Sequence, residues 1–158
     1  MALSTHSIFD FLTASFPELT LVLDEAAPGI LVPASAIKDV ALQLRDHPDL
    51  AFDFLMSLSG MDYADGNLGV VYHLSSITHK HKLTLKVVVP KDAPAVATVE
   101  KVWRTADWHE REAFDLYGVV FDGHRDLRRI LMPYDWEGYP LRKDYQVPEY
   151  YNGMKVPY

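Results

Sequence analysis

The strongest constraint on this chain lies near its end, where prolines at 133, 140, 148 and 157 interrupt residues 119–158. Proline fixes φ and has no backbone N–H, so that spacing permits no long helix or central strand. Regular structure must come from residues 1–118, and residues 119–158 must be extended or turning. Their composition nonetheless opposes disorder. Phe121, Tyr134, Trp136, Tyr139, Tyr145, Tyr150, Tyr151 and Tyr158 are more aromatic side chains than a solvated linker carries. Such a segment either lies in the groove of a partner or folds back over its own sheet.

The first part has the periodicities of an α+β fold. Residues 4–16 place Ile8, Phe9, Phe11 and Leu12 at helical spacing, closed by Pro17, and residues 34–45 put Ile37, Val40, Ala41 and Leu44 on one helical face. Residues 19–23, 29–32, 51–58, 68–74 and 83–89 read as strands, with turns at Asp65-Gly66-Asn67 and His79-Lys80, and residues 95–103 as a short helix. The expectation is an α+β scaffold domain over 1–118, a mixed or antiparallel sheet of about five strands with helices packed on it, followed by an extended tail over 119–158 that binds a partner.

Between scaffold and tail, Asp107-Trp108-His109-Glu110 has the spacing of a capping box and Gly118 suits the left-handed stop of a helix. His109, Ala113, Leu116 and Tyr117 fall on one face, fit to seal against the sheet. Phe114 and Trp108 point elsewhere, flanking a stripe in which Arg111 stands four residues from both Asp107 and Asp115. Arg111 then either forms a solvated intrahelical pair or joins Glu112 and Asp115 in a buried ionic network where the helix meets a partner or the tail.

Charge follows the same division. Residues 1–100 hold 6 Lys/Arg against 12 Asp/Glu, and residues 101–158 hold 9 against 10. Six of the seven arginines and all three tryptophans lie in the second segment, the residue types that dominate binding hot spots. A net charge of −7 opposes nucleic-acid binding, which needs a concentrated basic surface. With no cysteine, the chain offers no disulfide and no thiolate for an iron–sulfur cluster. The longest apolar stretches, such as Val87-Val88-Val89, fall far short of the roughly 20 residues of a membrane span. The start of the sequence, whose first charged residue is Asp10, has neither a secretory nor a transit pattern, so a cytosolic chain is expected.

Other chemistries fare poorly. His109-Glu110-Arg111-Glu112-Ala113 begins like a zinc-protease motif but has alanine where the second histidine ligand must stand. His79 and His81 can share a strand face with no third ligand nearby, and Glu110 and Glu112 point to different helix faces. No nucleophile with an adjacent base and no phosphate-binding glycine loop is evident. A self-contained enzyme or small-molecule binding domain whose tail forms a lid is the remaining rival.

The run from Trp108-His109-Glu110-Arg111-Glu112-Ala113-Phe114-Asp115-Leu116-Tyr117-Gly118 through His124 and Asp126-Leu127-Arg128-Arg129-Ile130-Leu131-Met132-Pro133 to Pro140-Leu141-Arg142-Lys143-Asp144-Tyr145 closely resembles a family signature. It is similar to the C, or thirty-kilodalton, subunit of the proton-pumping NADH:quinone oxidoreductase, respiratory complex I. Val71-Tyr72-His73-Leu74 and Leu83-Thr84-Leu85-Lys86-Val87 extend the likeness to the family's central strands. The resemblance implies a subunit of the hydrophilic arm that binds no cofactor itself, with NADH, FMN, iron–sulfur clusters and quinone on other subunits. Its partners would be the large quinone-site subunit and neighbouring iron–sulfur subunits, on the cytoplasmic face of the bacterial inner membrane, and membrane association would come only through the complex. A related membrane-bound hydrogenase, or a complex fed by another donor, would hold an equivalent subunit. Arg111, Asp115, His124, Arg128, Arg129, Arg142 and Asp144 carry over as signature positions that fix the interface, none of them catalytic; Glu112, Trp136 and Lys143 are added as interface candidates. Arg125 and Gln146 depart from the family pattern, each standing where proline is usual.

Overall fold

The computed structural model describes residues 3–156, so Pro157 and Tyr158, part of the aromatic tail expected from the sequence, lie outside the described residues. A five-stranded mixed sheet carries the fold, in the order β1-β2-β5-β4-β3. Its strands are β1 (Val22–Asp24), β2 (Gly29–Leu31), β3 (Phe54–Asp62), β4 (Asn67–Ser75) and β5 (Lys82–Pro90). Only β2 and β5 are parallel; the other pairs are antiparallel. Strand β4 puts Leu68, Val70, Tyr72 and Leu74 on one face, all fully buried, while on the other Gly69 and Val71 are buried too and Asn67, His73 and Ser75 are half-buried. That period-2 pattern fixes the register, since a one-residue slip would turn the apolar row to solvent.

Three helices complete the scaffold: α1 (Thr5–Ser15), α2 (Ile37–Asp46) and α3 (Ala106–Tyr117). Helix α1 is capped by the Ser4 hydroxyl, which accepts from the Ser7 N–H at 3.1 Å. Ile8 and Leu12 of α1, and Ile37, Val40, Ala41 and Leu44 of α2, enter the core with the apolar row of the sheet. Helix α3 packs chiefly along β3. There Gly60 lets the Tyr117 ring lie on the sheet, for a Cβ at that position would stand 2.5 Å from Cδ2 of Tyr117.

Three expectations are corrected. Residues 95–103 do not form a helix: Ala95–Ala97 is a strand, β6, paired in parallel with β7 (Val120–Asp122) as a separate two-stranded ribbon. Val96 and Val99 bury against the core from this ribbon and the turn after it, so tertiary pairing overrides a weak helical pattern. The capping box also fails. Helix α3 starts at Ala106 after Thr105, with no side-chain cap, and the carboxylates of Asp107 and Glu110 are engaged elsewhere. The tail is not wholly irregular either, for it holds β7 and a small hairpin of β8 (Tyr150–Tyr151) and β9 (Met154–Lys155). The hairpin turns at Asn152 and Gly153, both at positive φ, 47° and 77°.

Candidate functional site

The residues with the densest polar engagement lie where the chain after β7 returns along α3. Asp115, near the end of α3, is fully buried. One of its carboxylate oxygens accepts from the Arg129 guanidinium at 2.8 Å. The other accepts from three successive backbone N–H groups, of Ile130 at 2.9 Å, Leu131 at 2.6 Å and Met132 at 3.0 Å. Burial opposes the charge on Asp115, but these donors outweigh it and hold the carboxyl below its usual value. Arg129 is heavily engaged in turn, both terminal nitrogens donating, with further bonds to the carbonyls of Asp115, Trp136 and Gly138 at 2.9, 3.1 and 2.8 Å.

A second carboxylate pins the strap further on, at Lys143. Asp62, at the end of β3, accepts from the N–H of Lys143 at 2.9 Å, the N–H of Ala64 at 2.8 Å and Nζ of Lys91 at 3.1 Å. The backbone donors, Lys143 first, lower it to about 2. Lys91 also reaches Asp144 at 2.7 Å. Between the two anchors the strap closes the open end of α3, with the Leu141 N–H on the Leu116 carbonyl at 3.1 Å and Nε of Arg142 on the Tyr117 carbonyl at 2.7 Å. The guanidiniums of Arg142 and Arg129 stand 4.6 and 5.3 Å from the Tyr139 ring centroid.

A third cluster ties the first turn of α3 to the turn after β7. Asp107 pairs with Arg111 at 2.6 Å, both side chains being buried, and with Arg125. Nε2 of His124 lies 3.3 Å from Asp107 and 3.8 Å from both Glu100 and Glu110. Glu110 accepts from the Thr98 hydroxyl at 2.5 Å and the Val99 N–H at 2.8 Å; burial drives its pKa up to about 7. Glu100, Asp107 and His124 are close enough to share a metal ion. The donor set speaks against that use. Two arginines already neutralise Asp107, and Nδ1 of His124 accepts from the Asp126 N–H at 3.1 Å, which leaves the proton on Nε2, facing the carboxylates.

The candidates from the sequence separate into two groups. Arg111, Asp115, His124, Arg129 and Arg142 are brought together with α3 and engaged within the chain, although Nε of Arg111 is buried with no hydrogen-bond partner among the described residues. Arg111 pairs with Asp107 and approaches Asp126 at 3.5 Å, while Asp115 takes Arg129 instead. Trp136 donates to the Tyr145 hydroxyl at 2.9 Å, and Asp144 takes Lys91. Glu112, Arg128 and Lys143 are exposed, and among the described residues Arg128 bonds only to Asp126, at 3.0 Å. The face of α3 expected to seal on the sheet does so, with Ala113 buried, Tyr117 over Gly60 and Leu116 half-buried. Asp107, Glu110, Arg111 and Asp115 are buried as well, Glu110 against Thr98 and Val99 and the others under the chain that follows β7. Sequence reasoning missed Asp62, Lys91, Thr98 and Glu100; Asp62 reads as a turn residue before Ala64-Asp65-Gly66, and its partner lies 81 positions away.

Outward, the strap presents apolar side chains. Leu131, Tyr134, Leu141, Val147, Tyr150 and Met154 are all exposed, Tyr134 at 94%. The largest cavity, lined by Phe11, His47, Leu50, His79 and His81 among others, has no strap residue in its wall.

Residues 30–151 match the family model described as the 30 kDa subunit of respiratory-chain NADH dehydrogenase. The chain is 58% identical over 120 residues to the C subunit of NADH-quinone oxidoreductase from Chloroherpeton thalassium, covering 75% of this chain and 50% of the relative. Identity to the C subunit from Chlorobium phaeobacteroides is 52% over 122 residues, covering 76% and 74% of the two chains. With the C subunit from Roseiflexus sp. it is 44% over 148 residues, covering 91% and 85%. This chain therefore spans half the length of the first of these relatives and more of the other two. Among solved structures, the trypsin-resistant fragment (1-134) of Nqo5 superposes with a TM-score of 0.60 at 25% identity, covering 78% of this chain and 100% of the fragment. A chain of the membrane-bound sulfane sulfur reductase, an archaeal respiratory membrane complex, shares the fold with a TM-score of 0.72 at 23% identity, covering 89% and 85%. By sequence and fold alike, this chain belongs to the family of the 30 kDa subunit of respiratory-chain NADH dehydrogenase.

Proposed function

We propose that this chain is a docking subunit of the hydrophilic arm of a NADH:quinone oxidoreductase, and that it joins the complex through the outer face of its C-terminal strap. The supporting observation is a strap whose backbone is pinned by Asp115 and Asp62 while Leu131, Tyr134 and Leu141 face outward. Ordered backbone with exposed apolar side chains lowers the entropy cost of association. The partner on this reading is the large quinone-site subunit with its iron–sulfur neighbours. NADH, FMN, the clusters and quinone belong to other subunits, and the chain lies peripherally on the cytoplasmic face of the membrane, associated with it only through the complex. The chain's part in proton-coupled electron transfer is to hold the quinone-site subunit in place. The relatives named NADH-quinone oxidoreductase favour that donor. A lid over its own pocket draws no support from a strap that lies away from the largest cavity.

The test is a Leu131→Glu/Tyr134→Glu variant. Both side chains are exposed, at 61% and 94%, so the isolated chain should keep its unfolding midpoint. Retention in the purified membrane complex should fall about tenfold, as for loss of central apolar contacts. Normal retention and normal quinone reduction would overturn the proposal.

A further inference from the structure

The arginines of the strap pair within the chain, Arg129 and Arg142 under cover and Arg125 and Arg128 at the surface. Arg125 pairs with Asp107, Arg128 with Asp126 and Arg129 with Asp115, while Arg142 holds the Tyr117 carbonyl and the Tyr139 ring. Beside the β8–β9 hairpin, Asp135, Trp136, Glu137, Pro148, Tyr150 and Tyr151 wall a cleft of about 240 Å³. It combines two carboxylates with three aromatic rings, and no cationic residue is among those that line it.

The cleft is held in shape. The Trp136 indole N–H donates to the Tyr145 hydroxyl at 2.9 Å, and its ring lies 5.0 Å from that of Tyr151 at an interplanar angle of 49°. Tyr151 in turn donates its hydroxyl to Asp135 at 2.8 Å. The β8–β9 hairpin fixes Tyr150 and Tyr151 against this wall, with Tyr150 paired opposite Lys155. Glu137 is exposed and belongs to no ion pair among the described residues. Carboxylates beside π-faces select a cation. A planar guanidinium suits them better than an ammonium, because it stacks on rings while its N–H groups meet carboxylate oxygens.

We infer that this cleft receives an arginine side chain of a partner subunit. The inference rests on the docking reading and deepens it, naming the chemistry the partner brings. Here the strap supplies acid and aromatic rings, and the partner supplies the cation.

The experiment uses the assembled complex carrying Asp135→Asn/Glu137→Gln, Glu137→Arg or Tyr150→Ala as its copy of this chain. Retention of the chain through salt washes, and modification of partner arginines by phenylglyoxal, are compared with wild type. The acid-to-amide and charge-reversed variants should be retained about tenfold less, as expected when a desolvated charge pair is removed. Tyr150→Ala should lower retention in the same direction. One partner arginine, shielded in the wild-type complex, should become reactive. Wild-type retention and unchanged arginine reactivity in these variants, alongside release of the Leu131→Glu/Tyr134→Glu variant, would overturn the arginine cleft and leave docking standing. Retention of every variant, that one included, would overturn docking and the cleft together.

Discussion

At the scale of single residues, Asp115 does more to position the strap than any arginine around it. A carboxylate that accepts three consecutive backbone N–H groups and a guanidinium organises a turn that the sequence cannot make alone. Replacing it by Asn removes the charge, leaves Arg129 half-buried without its counter-ion and sets an amide N–H₂ against backbone donors. The expected cost is about 3 kcal/mol, measurable by urea unfolding, and it should be strongly non-additive with Arg129→Ala. Glu110 predicts a pH dependence of opposite sign to the depressed acids. Its folded pKa of about 7 lies above the ordinary 4.5, so the folded state binds the extra proton between those values. Stability from this group is therefore full below pH 4.5 and lost as pH rises through 7. Glu110→Gln should gain roughly 2–3 kcal/mol relative to wild type between pH 5 and pH 8, by the linkage of a buried group. Parallel pH profiles for the two proteins would contradict this assignment. Asp62, Asp107 and Asp115, all lowered, add the complementary loss of stability in acid.

At the scale of elements, the junction of α3 with the strap turns on Gly118, at a φ of 75°. A Cβ there would sit 2.5 Å from the Tyr139 ring and 2.8 Å from the Arg142 guanidinium. Gly118→Ala thus combines a left-handed backbone penalty with displacement of the strap, and should lower stability by about 2 kcal/mol with a shift in tryptophan emission. The left-handed stop was legible in the sequence because only local chemistry sets it. So were α1, α2 and the three long strands, whose apolar periodicity is strong. Residues 95–103 misled, since β6 exists only through pairing with β7, where Ala95 meets Val120. The start of α3 misled for a related reason. Asp107 and Glu110 have capping spacing, but longer-range partners, Arg125 and Thr98, claim their oxygens. The charged stripe of α3 was visible; whether a partner or the chain's own strap would roof it was not, because the donors that close on Asp115, Arg129 to Met132, lie in a stretch without periodicity.

At the scale of the whole molecule, scaffold and strap form a continuous structure through residue 145, with Val119 and Phe121 in the core and the second anchor at Lys143. This differs from an open arm awaiting a partner: the backbone is already in place, and docking has only to cover side chains. Hydrogen–deuterium exchange on the chain, alone and within the membrane complex, separates the two pictures most directly. The amides of Ile130, Leu131, Met132 and Lys143, which are bonded to Asp115 and Asp62, should be protected in the isolated chain, and residues 130–156 should gain further protection in the complex. Free exchange of those four amides in the isolated chain would contradict a strap that is folded before it docks, and identical exchange of residues 130–156 in both states would contradict docking through it.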